Sequence, residues 1–286
     1  GRLDEAQASY NQAIALKPDN AEADYNLGIT LQELGRLEDA EASYTKAIAL
    51  KPNFAEAQFN LGATLQEMGR LEDAEASYTQ SIALKPDYAE GHNNLGIILH
   101  ELNRLEEAEA SYKLAIALKP DYAGAYANLG NTLQDLGKLE KAEKIYTQGI
   151  ALNPESALAH TNLGNLFQEM GRPEEAAASY KKAITLDPNY DIARYNLGLS
   201  LFENRQYSIA ADLFELNDVH LSKSYAIQCS YHLDEESIFF KKLDSLINQG
   251  ELNAVIGSLT SCSTIKYGIK KSNPFCNEPS NHLLKI

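Results

Sequence analysis

The chain has 286 residues and a formal net charge of −15. A charge of this sign repels nucleic-acid backbones and anionic membrane surfaces, so neither is expected as the main partner. No apolar run approaches the roughly 20 residues that span a bilayer, and no signal peptide opens the sequence, which predicts a soluble, cytoplasmic protein.

The cysteines agree with that compartment. The three of them, Cys229, Cys262 and Cys276, lie late in the chain, and none belongs to a C-x-x-C pair. An odd, sparse set is a poor disulfide framework and a poor zinc site. We therefore expect a reducing environment and thiols that are buried or without a role.

From residue 21 onward the sequence repeats every 34 residues: "YNLG" at Tyr25 returns as "FNLG", "NNLG", "ANLG", "TNLG" and "YNLG". Copies begin at residues 21, 55, 89, 123 and 157, and a divergent copy begins at 191. Residues 1–20 match the second half of an earlier copy. Because the chain opens inside a repeat, we expect it to be a fragment of a longer protein.

Each copy predicts two amphipathic helices, since apolar residues recur at i, i+3 or i+4 and i+7 in two runs. The residues expected to end the first helix in a left-handed conformation are Gly35, Gly69, Asn103, Gly137, Gly171 and Asn204. The residues expected to end the second helix are Pro52, Pro86, Pro120, Pro154 and Pro188. After the proline, Asn53 or Asp87 is expected to cap the next helix, with Glu56 or Glu90 completing a capping box.

This 34-residue unit resembles the tetratricopeptide repeat (TPR). We number the positions of each repeat from its first residue. The small residue of the family at position 8 is Gly28, Gly62, Gly96, Gly130, Gly164 and Gly198. The alanine at position 20 is Ala40, Ala74, Ala108, Ala142, Ala176 and Ala210. The aromatic residue at position 24 is Tyr44, Tyr78, Tyr112, Tyr146, Tyr180 and Phe214. The resemblance covers residues 1–216 and implies an all-α, right-handed superhelical solenoid with a concave groove.

Position 6 is always asparagine: Asn26, Asn60, Asn94, Asn128, Asn162 and Asn196. On a helical wheel it shares an arc with positions 2, 5, 9, 12 and 13, and in the TPR family that arc lines the groove. A row of amides there resembles the asparagine ladder in the repeat arm of O-linked N-acetylglucosamine transferases, which holds substrate peptides by their backbones. Alternatively, asparagine at this position is common in the family and serves packing or solubility. The sequence leaves both interpretations open.

Neighbouring positions favour a peptide-binding groove. Position 5 supplies apolar contact through Tyr25, Phe59 and Tyr195, and position 12 supplies further amides through Gln32, Gln66, Gln134 and Gln168. No lysine or arginine occupies the arc, which argues against the carboxylate clamp of chaperone-binding members of the family.

Acidic residues form the rims of the predicted groove. They are Glu22, Glu56 and Glu90 at position 2, and Glu33, Glu67, Glu101, Asp135, Glu169 and Glu203 at position 13. We therefore expect a neutral or basic, extended peptide as the partner.

The repeat signature ends after Phe214. Residues 217–265 predict a helical capping extension, with helices over 224–233, 236–250 and 254–261. Residues 266–286 predict a loop or the start of a further domain. This tail resembles segments that lead into a 2-oxoglutarate and iron-dependent oxygenase domain in some bacterial repeat proteins.

No pattern predicts catalysis, a cofactor or a metal site, because the six histidines lack metal-ligand spacing and no phosphate loop is present. His92 and His160 at position 4 are interpreted as packing residues. The sequence thus predicts a non-catalytic peptide-binding scaffold. The alternative is the substrate-recognition arm of a larger oxygenase or glycosyltransferase. Self-association through the half repeat at the N-terminal end is a further expectation.

Overall fold

The computed structural model describes residues 1–216 and 220–233 and the isolated residues 238, 241, 242 and 245. The predicted helices over 236–250 and 254–261 and the segment 266–286 lie outside the continuously described part. Every regular element of the described residues is an α-helix. These helices are α1 Arg2–Leu16, α2 Ala21–Glu33, α3 Leu37–Leu50, α4 Ala55–Glu67, α5 Leu71–Leu84, α6 Ala89–Glu101, α7 Leu105–Leu118, α8 Ala123–Asp135, α9 Leu139–Leu152, α10 Ala157–Glu169, α11 Pro173–Leu186, α12 Asp191–Glu203, α13 Tyr207–Glu215 and α14 His220–His232. The all-α helical repeat fold is confirmed.

The turn inside each repeat depends on one left-handed residue. Gly35 has φ 71°, and the backbone N–H of Arg36 closes the turn by donating to Leu31 O at 2.9 Å. Glycine fills this place in most repeats because it has no Cβ to clash there. The prediction of Asn204 is wrong: that residue has φ −81°, and Arg205 takes the left-handed conformation with φ 59°. Residue 205, and not residue 204, lies 34 residues after Gly171, so the repeat spacing itself indicates Arg205 as the left-handed residue.

The predicted capping boxes of the repeats from 55 and 89 are also wrong. Phe54 and Tyr88 occupy the N-cap positions of α4 and α6, and neither helix has a side-chain cap. Asn53 and Asp87 lie one residue too early to cap, since the N-cap directly precedes the first helical residue.

Glu56 and Glu90 do not reach back to the N-caps of their own helices but pair with lysines at the end of the same repeat. Lys85 Nζ lies 3.5 Å from Glu56 Oε1, and Lys119 Nζ lies 2.8 Å from Glu90 Oε1.

The core of each repeat is a tyrosine ring packed on a glycine. Tyr44 and Ala40 are 0% exposed, and the Tyr44 ring lies on the backbone of Gly28. The divergent repeat from 191 keeps this arrangement with Phe214 on Gly198. The glycine lets the two helices of a repeat approach closely enough to enclose the ring.

The described helices fall into two compact units, unit 1 with α1–α9 and unit 2 with α10–α14, which divide after residue 154. In unit 1 each first helix packs on the second helix of its own repeat and on that of the preceding repeat. The first helices α2, α4, α6 and α8 also approach one another more closely than the second helices of successive repeats do. They therefore form the inner, more tightly curved face of unit 1.

In unit 2 the first helices α10 and α12 are likewise close together, and α14 packs on α13. The Tyr225 ring on α14 stacks on Phe214 at a centroid distance of 5.2 Å. Cys229 is a buried, free thiol in the same cluster, and burial raises its pKa to about 12. α14 confirms the helix predicted over 224–233 and begins four residues earlier.

Ion pairs connect successive second helices on the other face of unit 1. Arg70 Nη1 lies 2.8 Å from Glu41 Oε2, Arg104 Nη1 2.7 Å from Glu75 Oε2, and Lys138 Nζ 2.7 Å from Glu109 Oε2. Each pair joins residues 29 apart in the sequence.

Candidate functional site

The exposed sides of the first helices carry the residues that the sequence predicts for a groove. In all six repeats positions 8 and 11 are buried, the position 6 asparagine is partly exposed, and the acid at position 13 is exposed. The helical wheel is therefore correct about which side of each first helix faces solvent. We call this surface the first-helix face of its unit.

The asparagines make hydrogen bonds to the preceding repeat. Asn60 Nδ2 donates to the Tyr25 hydroxyl at 3.1 Å, and Asn94 Nδ2 donates to the Tyr78 hydroxyl at 3.3 Å. Asn128 Nδ2 donates to Asn93 Oδ1 at 3.1 Å. An amide nitrogen carries two hydrogens, so each of these bonds leaves a second N–H. The asparagines thus connect repeats while retaining donor capacity on the first-helix face.

Of the predicted glutamines, Gln32 and Gln66 use both the nitrogen and the oxygen of their amides in hydrogen bonds. Gln32 Nε2 donates to Glu67 Oε1 of the next repeat at 2.7 Å, and its Oε1 accepts from the Tyr44 hydroxyl at 3.1 Å. Gln66 repeats this pattern with Glu101 at 3.3 Å and Tyr78 at 3.3 Å.

The same contact continues in other repeats. His100 Nε2 lies 2.7 Å from Asp135 Oδ2, and Gln134 Oε1 accepts from the Tyr146 hydroxyl at 3.2 Å. Position 12 therefore links each repeat to its neighbours more than it presents amides to a ligand.

Two of the position 5 aromatics, Tyr25 and Phe59, each pack against the last aromatic residue of their own repeat. The Tyr25 ring lies 4.7 Å from that of Phe54, and the Phe59 ring lies 4.8 Å from that of Tyr88. Burial raises the pKa of the Tyr25 hydroxyl, opposed by the hydrogen bond from Asn60. Phe54 is buried, but Tyr25, Phe59 and Tyr88 stay partly exposed, so unit 1 offers aromatic contact beside its asparagines.

The predicted acidic rim at position 2 is largely neutralised. Lys51 Nζ lies 2.9 Å from Glu22 Oε1, and the lysines of the next two repeats pair in the same way with Glu56 and Glu90. The hydrogen bond from Lys119 is the main reason that the pKa of Glu90 is lowered. Position 13 is left as the main acidic row of the first-helix faces.

In unit 2 the structure shows an open cavity of about 470 Å³ between α10 and α12. Its lining includes the predicted residues Gln168 and Asn196 and also Asn165, which sequence reasoning missed. Asn165 Oδ1 accepts from the Tyr180 hydroxyl at 2.9 Å and from Asn196 Nδ2 at 2.8 Å. The missed signal was position 9, which lies on the predicted arc and changes from Ile29, Ala63 and Ile97 to Asn131 and Asn165 along the chain.

Neither a metal-binding cluster nor a membrane-spanning helix is present among the residues that the structure describes. In the part of the chain that the structure describes, no three His, Cys, Asp or Glu side chains are grouped as a metal site requires. None of the helices described is both long and apolar enough to cross a bilayer.

Comparison with known families gives continuous matches over the repeats. Sequence models described as tetratricopeptide repeat match residues 59–123, 111–144 and 157–190. A further model described as TPR repeat matches residues 1–35, 31–69 and 130–171. Together these matches cover residues 1–190, and the divergent repeat from 191 lies beyond them. No curated protein sequence matches the chain at a significant level.

Solved structures with the same fold include MamA, which is 28% identical with a TM-score of 0.54 over 57% of this chain and 95% of that chain. A thermophilic TPR protein of Thermus thermophilus is 27% identical, with a TM-score of 0.52 over 64% of this chain and 100% of that chain. YrrB, described as a TPR protein with an unusual peptide-binding site, is 23% identical, with a TM-score of 0.56 over 64% of this chain and 95% of that chain.

Proposed function

Because this chain belongs to the tetratricopeptide repeat family, we propose that it is a non-catalytic protein-interaction scaffold that holds an extended peptide on its first-helix faces. YrrB supports the proposal as a protein of the same fold with a peptide-binding site. The late, sparse cysteines favour the cytoplasm as the compartment in which the scaffold works.

The observation that carries the proposal is the row of partly exposed asparagines. Their amides can form further hydrogen bonds besides those to the preceding repeat. Asn60, Asn94 and Asn128 each donate one N–H to the preceding repeat, which fixes the orientation of their amides. The second N–H and the amide oxygen match the carbonyl and N–H of a peptide backbone, whatever the side chains of that peptide are. A pre-oriented amide loses little conformational freedom when it binds, so its hydrogen bond contributes more net affinity.

The rings of Tyr25 and Phe59 add apolar area beside these amides. Aromatic side chains of this kind provide much of the affinity in protein interfaces. In unit 1 the peptide backbone therefore has hydrogen-bond partners and its side chains have an apolar contact surface.

The charge of the face favours a neutral or basic peptide. Lysines neutralise the position 2 acids, whereas the position 13 acids are exposed and have glutamine or histidine as neighbours. An acidic peptide would be repelled by this row. The substrate-arm interpretation uses the same face and predicts the same binding, with the chemistry located in another domain.

The test starts from a peptide selected against the full chain from a random display library. The Asn60→Ala, Asn94→Ala, Asn128→Ala triple variant is expected to bind this peptide at least tenfold more weakly, while its helical circular dichroism is unchanged. Three hydrogen bonds of about 0.5–1.5 kcal/mol each account for such a loss. Unchanged affinity would show that the asparagines serve packing alone.

A matched pair separates binding from repeat packing. Asn94→Ala removes both the amide and its bond to Tyr78, whereas Tyr78→Phe keeps the amide and removes that bond together with the bond from Tyr78 to Gln66. We expect Asn94→Ala to weaken peptide binding several-fold and Tyr78→Phe to change it less than twofold. Equal losses in the two variants would mean that Asn94 acts by holding the repeats together.

A further inference from the structure

We propose that the cavity between α10 and α12 of unit 2 is a subsite for the side chain of a lysine or arginine in the bound peptide. The inference rests on the proposed function, because it assigns a side-chain preference to the same face. It adds a position-specific requirement that backbone recognition by asparagine does not impose.

The size and lining of the cavity suit a long cationic side chain. Its volume of about 470 Å³ lies in the range of small-ligand sites. Six of the lining residues are polar or acidic: Asn165, Gln168, Glu169, Tyr180, Asn196 and Glu203. None of the described residues that line the cavity is cationic. Leu199 adds an apolar surface against which the methylene groups of lysine or arginine can pack.

Hydrogen-bond donors are scarce in the cavity relative to acceptors. The Tyr180 hydroxyl and Asn196 Nδ2 both donate to the one oxygen Asn165 Oδ1. In the repeats from 21 and 55 the equivalent tyrosine donates to the position 12 glutamine instead, as Tyr44 does to Gln32.

Gln168 Oε1 is consequently buried without a hydrogen-bond partner. Its orientation is fixed, because Gln168 Nε2 donates to Glu203 Oε2 at 2.8 Å and a flipped amide would place two oxygens together. A buried acceptor without a donor is costly, and a guest N–H that displaces the atoms covering Gln168 Oε1 relieves that cost. Guanidinium and ammonium groups offer five and three donors, respectively, and no acceptor.

The charge in the cavity has the sign that such a guest requires. Glu169 and Glu203 both line it. Burial, and to a smaller extent the charge of Glu203, raises the pKa of the Tyr180 hydroxyl to about 12. Both carboxylates are exposed at the rim of the cavity, so they attract a cation to its mouth through a partly screened interaction.

Unit 1 lacks this arrangement in its first three full repeats. The position of Asn165 is taken there by Ile29, Ala63 and Ile97, which cannot anchor the tyrosine hydroxyl. A cationic side chain bound in this cavity would therefore set the register of the peptide segment that unit 2 holds.

The test uses the full chain and small probes in place of the unidentified peptide. Arginine amide and lysine amide are titrated into protein labelled at leucine methyl groups and side-chain amides, with chemical-shift changes as the readout. We expect saturable shifts at Leu199, Asn165 and Asn196 at millimolar concentrations of either probe. Norleucine amide, which has an uncharged side chain of similar length, is expected to bind at least fivefold more weakly.

Variants identify the source of the preference. Glu169→Gln with Glu203→Gln is expected to weaken arginine amide at least fivefold. Glu174→Gln with Asp212→Asn removes the same net charge at exposed sites on α11 and α13, and it is expected to leave the titration unchanged. Equal binding of norleucine amide, equal loss in both double variants or no saturable shift at Leu199 would each overturn the subsite.

The experiments distinguish failure of the backbone-recognition proposal from failure of the cation subsite. If the unit 1 asparagine variants keep full peptide affinity while arginine amide still saturates this cavity, the backbone-recognition proposal fails and the cation site stands. If the asparagine variants lose affinity while arginine amide gives no saturable shift here, the subsite fails and the scaffold stands.

Discussion

The ring of Tyr146 lies against the backbone of Gly130, so that a Cβ atom on Gly130 would lie 2.4 Å from Tyr146 Cε1. The ring cannot withdraw easily, because Asn131 Oδ1 at 2.5 Å and Gln134 Oε1 at 3.2 Å share the single hydrogen that its hydroxyl donates. The residues at positions 8 and 24 thus pack as a pair that holds the two helices of a repeat together. The hydroxyl of the tyrosine connects this pair to polar residues on the first helix.

Gly130→Ala should destabilise unit 1 by about 1–3 kcal/mol, the usual cost of forcing an extra methyl group into a packed core. The substitution also improves helix propensity by about 1 kcal/mol, so a net loss shows that the steric term dominates. Urea denaturation followed by circular dichroism measures the change.

Gly124→Ala on the same helix is the matched control. A Cβ there would meet only the Tyr122 ring, at 3.4 Å, and Gly124 is exposed. This variant should be neutral or stabilising by up to about 1 kcal/mol. A loss of similar size in both variants would refute the account of Gly130.

The helix pairs could be predicted because their signals are local and repeated. Gly28 and Tyr44 recur at fixed positions, and Gly35 and Pro52 end their helices for reasons of backbone geometry alone. The helix starts were predicted less well. Phe54 occupies the N-cap of α4 because its ring packs on Tyr25 of the same repeat, and a contact between helices outweighs the preference for a polar cap.

The arc that carries the candidate site could be predicted, but the partners of its residues could not. Asn60, Asn94 and Asn128 occupy the same position, yet they donate to Tyr25, Tyr78 and Asn93, which come from two different positions of the repeat. The choice depends on how successive repeats are oriented, which no single repeat specifies. The pairing of Lys51 with Glu22 could have been inferred, since it recurs at a constant spacing of 29 residues.

Arg205 adopts a left-handed backbone conformation that residues with a side chain disfavour. Its φ of 59° costs a residue with a side chain roughly 1 kcal/mol relative to glycine. Arg205→Gly should therefore stabilise unit 2 by about 0.5–1 kcal/mol, measured by thermal unfolding. Gly171→Ala, at the equivalent position with φ 69°, should destabilise by a similar amount. If Arg205→Gly destabilises, the arginine side chain makes a contact that outweighs the strain.

Glu109 should give unit 1 a pH-dependent contribution to stability. Burial alone would raise its pKa, but hydrogen bonds from Lys113 and Lys138 outweigh that effect and lower it. A carboxylate with a lowered folded pKa stabilises the fold above its unfolded pKa of about 4.3, and this stabilisation is lost as the pH falls through the folded value.

Glu109→Gln is therefore expected to lower the free energy of unfolding by about 0.5–1 kcal/mol at pH 7 and by almost nothing near pH 3. Glu106→Gln, at an exposed position on the same helix, serves as the control and should have little effect at either pH. A loss that is independent of pH would show that the shape of Glu109 matters and its charge does not.

The contact between Gln32 and Glu67 predicts that one repeat can be uncoupled from the next by charge alone. Gln32→Glu would place a second carboxylate at the 2.7 Å contact with Glu67 Oε1. The repulsion raises the pKa of these carboxyl groups in the folded state, so the penalty is largest at neutral pH and fades below about pH 4. We expect a loss of about 0.5–1 kcal/mol at pH 7 and faster hydrogen exchange where α2 meets α4.

Exchanging the two groups should reverse this effect. In the Gln32→Glu, Glu67→Gln double variant the amide at 67 can donate to the carboxylate at 32, which can still accept from the Tyr44 hydroxyl. Stability and exchange at pH 7 should return close to those of the unaltered chain. Gln32→Met loses the hydrogen bond without adding charge, so its smaller loss should not depend on pH. If the double variant stays as unstable as Gln32→Glu, the hydrogen bond between positions 12 and 13 does not couple the repeats.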